Sequence, residues 1–281
     1  MFGMNTMSFE IFNYLYGITF IFYFLSFLFY VYNFLFEKDK VLKFAMLLLS
    51  LGLIPHGLGI LIMWFITGHG PYLTKHEVIS SNVWLIIFVF LFLSNRYPGI
   101  KRAGLIVSAL CLILMMFVFL TTPKIVRTSP TLKSFWLIFH VLFNKLAAAT
   151  IVLALAFSVL YILKERNEGK SHFYKKLPPL PVLDEYVYRF MSLTFVFWTI
   201  TIVAGSMWAN QAWGTYWSWD PVEVWSLITW LLIGLYLHLR HFLRLRGRRS
   251  AYFVILCFII SFLTIFLIPF VVESLHSVYF K

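Results

Sequence analysis

The chain has 281 residues, of which 61% are hydrophobic, 20% aromatic and only 12% charged, with a mean hydropathy of +0.86; a soluble domain carries roughly one charged residue in four. Apolar stretches long enough to cross a hydrocarbon core of about 30 Å recur along nearly the whole length, so one helical membrane domain over residues 1–281 is expected. The net charge of +12 is distributed in short clusters between apolar spans, where it orients a membrane protein, and this argues against nucleic acid as a partner.

The first ten residues carry no Lys or Arg and run into a full-length apolar span, unlike a signal peptide, so this segment is expected to stay as a helix. The hydropathy pattern then predicts an all-α polytopic bundle of eight spans, at about 9–36, 42–67, 82–95, 103–120, 135–163, 187–208, 221–243 and 251–272. The third is the weakest, because Val83 to Leu93 is a short apolar core that needs its flanks to reach spanning length. Cys111 and Cys257 both fall inside apolar spans and form no Cys-x-x-Cys pair, which argues against a disulfide or redox role. Without Cys-x-x-Cys-His, the chain is not itself a c-type cytochrome.

Alternate connections differ sharply in charge. Those at 38–43, 96–102, 164–176 and 240–249 hold sixteen bases, whereas the other set holds five: Lys75, Lys124, Arg127, Lys133 and Lys281. Cytoplasmic loops are enriched in Lys and Arg, so both termini are expected outside. The segments 68–81, 121–134 and 208–221 and the tail 273–281 would be external, and 164–186 would be a cytoplasmic linker. Its Lys-Lys-Leu-Pro-Pro-Leu-Pro run favours extended backbone.

Six of the ten tryptophans, Trp208, Trp213, Trp217, Trp219, Trp225 and Trp230, fall within 23 residues. Interfacial anchoring accounts for one or two per helix end. A platform of large rigid rings for a flat apolar ligand such as a porphyrin accounts better for this density. Asp220-Pro221-Val222-Glu223 has the pattern of a helix start, with Asp220 as N-cap, Pro at the first helical position and Glu three residues on, and that structural role is compatible with a place in the site. Gly214 would permit a tight turn within the loop.

Haem iron takes axial ligands, and neutral imidazole is the usual nitrogen donor. His140, about one turn inside the outer end of the fifth span, and His276, just past the outer end of the eighth, would both lie at the level of the tryptophan loop and could ligate one iron from its two faces. His69 and His76 are also external and compete for that role, although their Gly and Pro neighbours point to turn chemistry. His238 follows Asp220 by eighteen residues, about 27 Å along a helix at ~1.5 Å per residue; it either binds haem at an inner position or sits with Arg240 and His241 at a solvated helix end. His56 and His172 receive no ligand role. Lys145, alone well inside a span, could reach a propionate or snorkel outward; Lys124, Arg127 and Lys133 could pair with propionates or be ordinary loop bases.

The segment from Tyr188 to Arg240, with Trp-Ala-Asn-Gln-Ala-Trp-Gly-Thr-Tyr-Trp-Ser-Trp-Asp-Pro from Trp208 to Pro221, resembles the WWD-domain haem-handling family, most closely its CcsA/ResC branch of System II cytochrome c biogenesis proteins. Trp136-Leu-Ile-Phe-His140-Val, Tyr236-Leu-His238-Leu-Arg240, Leu275-His276-Ser277, Gly68-His69-x-Pro71 and the eight-span count support that branch. It departs at Val222 and Val224, where relatives often carry Lys and Thr.

The resemblance implies a subunit of a holocytochrome c synthase that works with a ResB/CcsB-type membrane partner. Such a protein moves haem b to the outer face of a bacterial cytoplasmic membrane, or the lumenal face of a thylakoid, and presents it for thioether attachment to Cys-x-x-Cys-His of apocytochrome c. It also implies His140 and His276 as the iron ligands, His238 in an inner haem site, and Trp208, Trp213, Gly214, Tyr216, Trp217, Trp219 and Asp220 around the porphyrin. The cysteines of the apocytochrome carry the reaction, so no nucleophile is expected here and the chain would act by fixing geometry. The nearest rival is a System I protein of the CcmC type, expected to have about six spans. A membrane b-type cytochrome would place facing histidine pairs within the bilayer, and a solute transporter would show broken spans with midplane charges.

Overall fold

The computed structural model describes residues 6–121, 123–126, 132–167 and 171–275. Among them the regular elements are all helical: α1 (Thr6–Phe36), α2 (Asp39–Thr67), α3 (Lys75–Arg96), a 3-10 segment (Pro98–Ala103), α4 (Gly104–Leu120), α5 (Phe135–Arg166), α6 (His172–Lys175), α7 (Leu180–Trp213), α8 (Pro221–Phe242), α9 (Gly247–Phe266) and α10 (Ile268–Val271). Eight of these helices are long and apolar enough to cross a membrane, the last span running through α9 and α10. This is the all-α, eight-span architecture expected from hydropathy. The chain forms two compact units, one of residues 1–127 with 171–177 and one of residues 128–170 with 178–281.

In the first unit, α1 buries Phe12, Tyr16, Thr19, Tyr23, Ser26, Tyr30 and Asn33, and α2 buries Leu42, Ala45, Leu49, Gly52, His56, Gly59 and Met63. Each set repeats at alternating steps of four and three, the heptad spacing that keeps one seam of a helix against its neighbour. Large tyrosines on α1 meet small residues on α2: an ideal Cβ at Gly52 would fall 2.6 Å from the Tyr23 ring, and one at Gly59 would fall 2.6 Å from the Tyr16 ring. Small residues let helix backbones approach where lipid supplies no hydrophobic drive. Buried hydroxyls must then find partners, and Tyr30 donates to the Met46 sulfur at 3.1 Å while Ser26 donates to the Ala45 carbonyl at 2.7 Å.

α3 begins seven residues before the expected 82. Its polar first turns are buried rather than excluded, and the start is fixed by a capping box in which Thr74 and Glu77 satisfy each other's amides. The segment 171–177 joins this unit through Glu37, which accepts from the Ser171 hydroxyl at 2.6 Å and the His172 amide at 3.0 Å, and through an Asp39 carboxylate shared by Arg102 and Lys176.

In the second unit, α5 is the central element, with Ala147, Ala149, Leu153, Ala154, Ala156 and Phe157 all at zero exposure; it packs along α7 and against α9. α7 runs from Leu180 to Trp213, well beyond the expected 187–208 at both ends. Pro181 does not extend the connection, because a proline in the first turn of a helix gives up an amide that has no partner anyway. α7, α8 and α9 are pinned at one end by a buried fork: Arg240 pairs with Asp184 at 2.7 and 2.8 Å, and the Gly247 amide donates to the same carboxylate at 3.0 Å.

Candidate functional site

The opposite end of the second unit carries the tryptophan segment. Trp208 and Trp213 belong to the last turns of α7, which stops at Gly214 in a left-handed C-cap with φ +81°, so only residues 214–220 are non-helical. Trp208 is buried and meets Trp213 edge to face at 5.1 Å between ring centroids. Trp217 and Trp219 make a second perpendicular pair at 5.8 Å. Tyr216 is 55% and Trp219 70% exposed, and Trp219 holds φ +59°, a backbone state uncommon for a bulky residue. The rings at the tip are therefore presented outward by strained backbone instead of packed into the bundle.

Acidic side chains hold that backbone. Asp220 caps α8 by accepting the Val222 amide at 2.9 Å, and its second oxygen accepts the Leu275 amide at 2.6 Å. The residue that starts the helix thus also ties down the chain immediately before His276, which lies outside the described residues. Glu223 closes the capping box at Asp220 and accepts the Ser218 amide at 2.8 Å and the Ser218 hydroxyl at 3.2 Å.

His140 lies on the first turns of α5. Its Nδ1 is 2.9 Å from the Thr201 carbonyl; a carbonyl only accepts, so Nδ1 carries the proton and the lone pair is on Nε2. An imidazole whose N–H is committed to a backbone carbonyl has the arrangement of a metal-ligating histidine. Trp208 stands 6.3 Å from its ring, tilted by 31°. Gly205 makes this possible, since a Cβ there would fall 2.6 Å from His140 Nδ1. At the mouth, Ser134 caps α5 and donates to the Gln211 side chain at 2.6 Å, linking α5 to the end of α7. Sequence reasoning missed Gly205, Thr201 and the second role of Glu223. The small residue one turn before Trp208 was the available signal for the first.

His140, Trp208, Trp213, Gly214, Tyr216, Trp217, Trp219 and Asp220 are thus gathered at one end of the second unit. His238 is not among them: α8 is unbroken between Asp220 and His238, and His238 is exposed near the other end with its ring 4.5 Å from Phe242. Arg240, which sequence alone left at a solvated end, is instead buried in the fork with Asp184. Lys145 is buried on α5, while Lys124 and Lys133 are exposed and Arg127 lies outside the described residues. His56, His69 and His76 belong to the first unit.

Known proteins with this pattern are found. The profile of the family described as Cytochrome C assembly protein matches residues 15–276. The cytochrome c biogenesis protein CcsA of Guillardia theta is 31% identical over 298 aligned positions, covering 98% of each chain. CcsA of Chlamydomonas reinhardtii is 31% identical over 78% of this chain and 63% of its own, and that of Cuscuta reflexa is 38% identical over 53% and 56%. Among solved structures, the cytochrome c haem lyase CcmF superposes with a TM-score of 0.73 over 95% of this chain at 18% identity; the chain spans about half of that protein, and the likeness is one of fold. On the extent of the profile match and the full-length similarity to CcsA, the chain belongs to the cytochrome c assembly protein family.

Proposed function

We propose that this chain handles haem for cytochrome c biogenesis as a System II component, with the porphyrin as cargo held at the tryptophan end of the second unit. The observation that carries the reading is His140, whose tautomer is set by the Thr201 carbonyl so that Nε2 is the ligating atom, beside the Trp208 and Trp213 rings. His276 is the second axial ligand in this reading. The clamp from Asp220 to the Leu275 amide, one residue earlier, supports it by fixing the chain that delivers His276.

The chain's own residues bind and orient. Trp208, Trp213, Tyr216, Trp217 and Trp219 offer stacking and edge contacts to the ring. Asp220 and Glu223 keep the loop rigid through amides they accept, and the bound haem supplies the vinyl groups. Thioether formation uses the cysteines of apocytochrome c, and preorganised geometry is what this chain contributes. The lopsided distribution of bases supports an external loop at 208–221, a cytoplasmic 164–186 and both termini outside, in a bacterial cytoplasmic or thylakoid membrane. His238, exposed on α8 above Leu231, Leu235 and Phe242 on the same face, serves an inner haem position completed by a ResB/CcsB-type partner. The eight spans favour this branch over a CcmC-type protein.

The test is the absorption spectrum of the purified protein with its partner. His140→Ala and His276→Ala should each lose most of the Soret absorbance, with recovery on adding imidazole. Wild-type haem content in both variants without imidazole would sink the assignment, and loss confined to His238→Ala would put the haem at the inner position alone.

A further inference from the structure

His69 and His76 take no part in the haem reading, yet both are buried, at 4% and 5% exposure, in the first unit. The Nε2 atom of each is enclosed without a hydrogen-bond partner among the described residues. Their other ring nitrogens are committed. Nδ1 of His69 lies 2.8 Å from the Gly70 carbonyl and Nδ1 of His76 lies 3.3 Å from the Thr121 carbonyl. Carbonyls only accept, so both Nδ1 atoms are protonated and both Nε2 atoms present lone pairs. The Thr121 hydroxyl does not alter this, because it donates to the Val118 carbonyl at 2.7 Å and so accepts from His76.

Both imidazoles line one small cavity, together with Tyr16, Met63, Glu77 and Ser80. The hydroxyls there already have partners, in a chain that links Tyr16 with Ser80 (2.6 Å), Ser80 with His56 Nε2 (2.9 Å) and His56 Nδ1 with Tyr23 (3.1 Å). A guest must therefore accept lone pairs. An imidazole with its N–H on a backbone carbonyl and its other nitrogen buried without a partner has the second-shell arrangement of a metal ligand, and it occurs here in two residues that line one cavity.

We propose that the first unit carries a binding site for monovalent copper, ligated by His69 Nε2 and His76 Nε2 with the Met63 thioether as a third, softer donor. The donor set selects the ion. Among the described residues no three His, Cys, Asp or Glu side chains stand close enough to hold a metal, so tetrahedral zinc and oxygen-ligated calcium or magnesium do not find their ligands. Imidazole with thioether suits Cu(I). A buried cation also needs a compensating charge, and Glu77 at 5% exposure provides one, fixed by the amides of Leu73 and Thr74 at 3.0 and 3.1 Å. The cavity is far too small for a porphyrin, so this site and the haem site are chemically separate.

The full-length protein in detergent, as isolated with its haem, is titrated with Cu(I) under reducing, anaerobic conditions against a chromogenic Cu(I) chelator. Wild type should retain about one equivalent, and His69→Gln and His76→Gln, which keep a polar side chain of similar reach, should each weaken retention by about tenfold or more. Met63→Leu should weaken it less, and His241→Ala, an exposed histidine outside the cavity, should leave it unchanged. Circular dichroism and the Soret band monitor folding in every variant. Failure of wild type to compete for Cu(I), as when a water merely bridges the two imidazoles, would overturn the proposal, as would wild-type retention by both glutamine variants.

Discussion

The two units solve the same problem, polar side chains among membrane helices, in opposite ways. The first closes its polar groups inward: Tyr16, Ser80, His56 and Tyr23 hydrogen-bond in series at zero to 3% exposure, sealed by tyrosines set into glycines. The second turns its aromatic groups outward on a short loop, and spends its acidic side chains on holding that loop's backbone. Interior polarity in the first unit fixes one packing of three helices, whereas rim rigidity in the second presents a surface to something that is not part of the chain. Eight of the ten tryptophans lie in the second unit, so intrinsic tryptophan fluorescence reports mainly on it and offers a way to break the comparison region by region.

The largest effect is expected at the fork. Arg240 and Asp184 are only 8% and 11% exposed, so Arg240→Ala strands a buried carboxylate and should cost about 3–5 kcal/mol, read as a lower Tm by tryptophan fluorescence in detergent. Arg240→Lys keeps the charge but cannot contact both carboxylate oxygens in a fork and should fall between. An unchanged Tm for Arg240→Ala would mean that the end opposite the loop is not what holds α7, α8 and α9 together.

Next comes the tyrosine seam. Gly52→Ala puts a methyl 2.6 Å from the Tyr23 ring, an overpacking that should cost about 1–3 kcal/mol. Tm should drop while haem content per folded protein stays at the wild-type level; a parallel fall in haem would show that the first unit shapes the haem site. Gly205→Ala sharpens the contrast from the other side, because its methyl would meet His140 Nδ1 at the same 2.6 Å. Here the Soret absorbance should fall further than Tm does. At Asp220, replacement by Ala removes the cap, worth about 1 kcal/mol, and releases Leu275. Asp220→Asn retains a capping oxygen and should restore most of the Tm but less of the haem content.

Much of this was legible in the sequence, and what was not has physical causes. Span number, the buried Cys111 and Cys257, the Asp220 cap and the gathering of His140 with the tryptophans all follow from local signals that lipid enforces. The start of α3 was not visible to hydropathy, because His76, Glu77, Ser80, Ser81 and Asn82 read as loop and yet are buried against other polar groups. Helix through Trp208 to Trp213 was hidden by reading aromatic density as loop. The heptad of tyrosines against glycines was present as spacing, but its meaning depends on α1 and α2 being neighbours. Arg240 and Asp184 stand 56 positions apart in sequence, and no local rule pairs them.

The smallest expected effect tests the edge of the first unit. Glu37 follows α1 outside the spanning helices, and the Ser171 hydroxyl bond, followed by the Phe173 and His172 amides, holds its carboxyl below the usual carboxylate value against a weaker opposing desolvation. Because the folded value is the lower one, the stabilisation is present in full above the ordinary carboxylate pKa of about 4.3 and disappears as pH falls through the depressed value. Acidification should therefore loosen residues 171–177 before it affects the tyrosine seam, whose packing rests on buried phenol rings set against glycines and not on an exposed carboxylate. The protection factors of the His172 and Phe173 amides, measured against an intrinsic exchange rate that itself falls on acidification, should drop in wild type and not in Glu37→Gln, which has no carboxylate to protonate. Equal acid sensitivity in the two proteins would mean that the Glu37 carboxylate is not what holds this segment against α1.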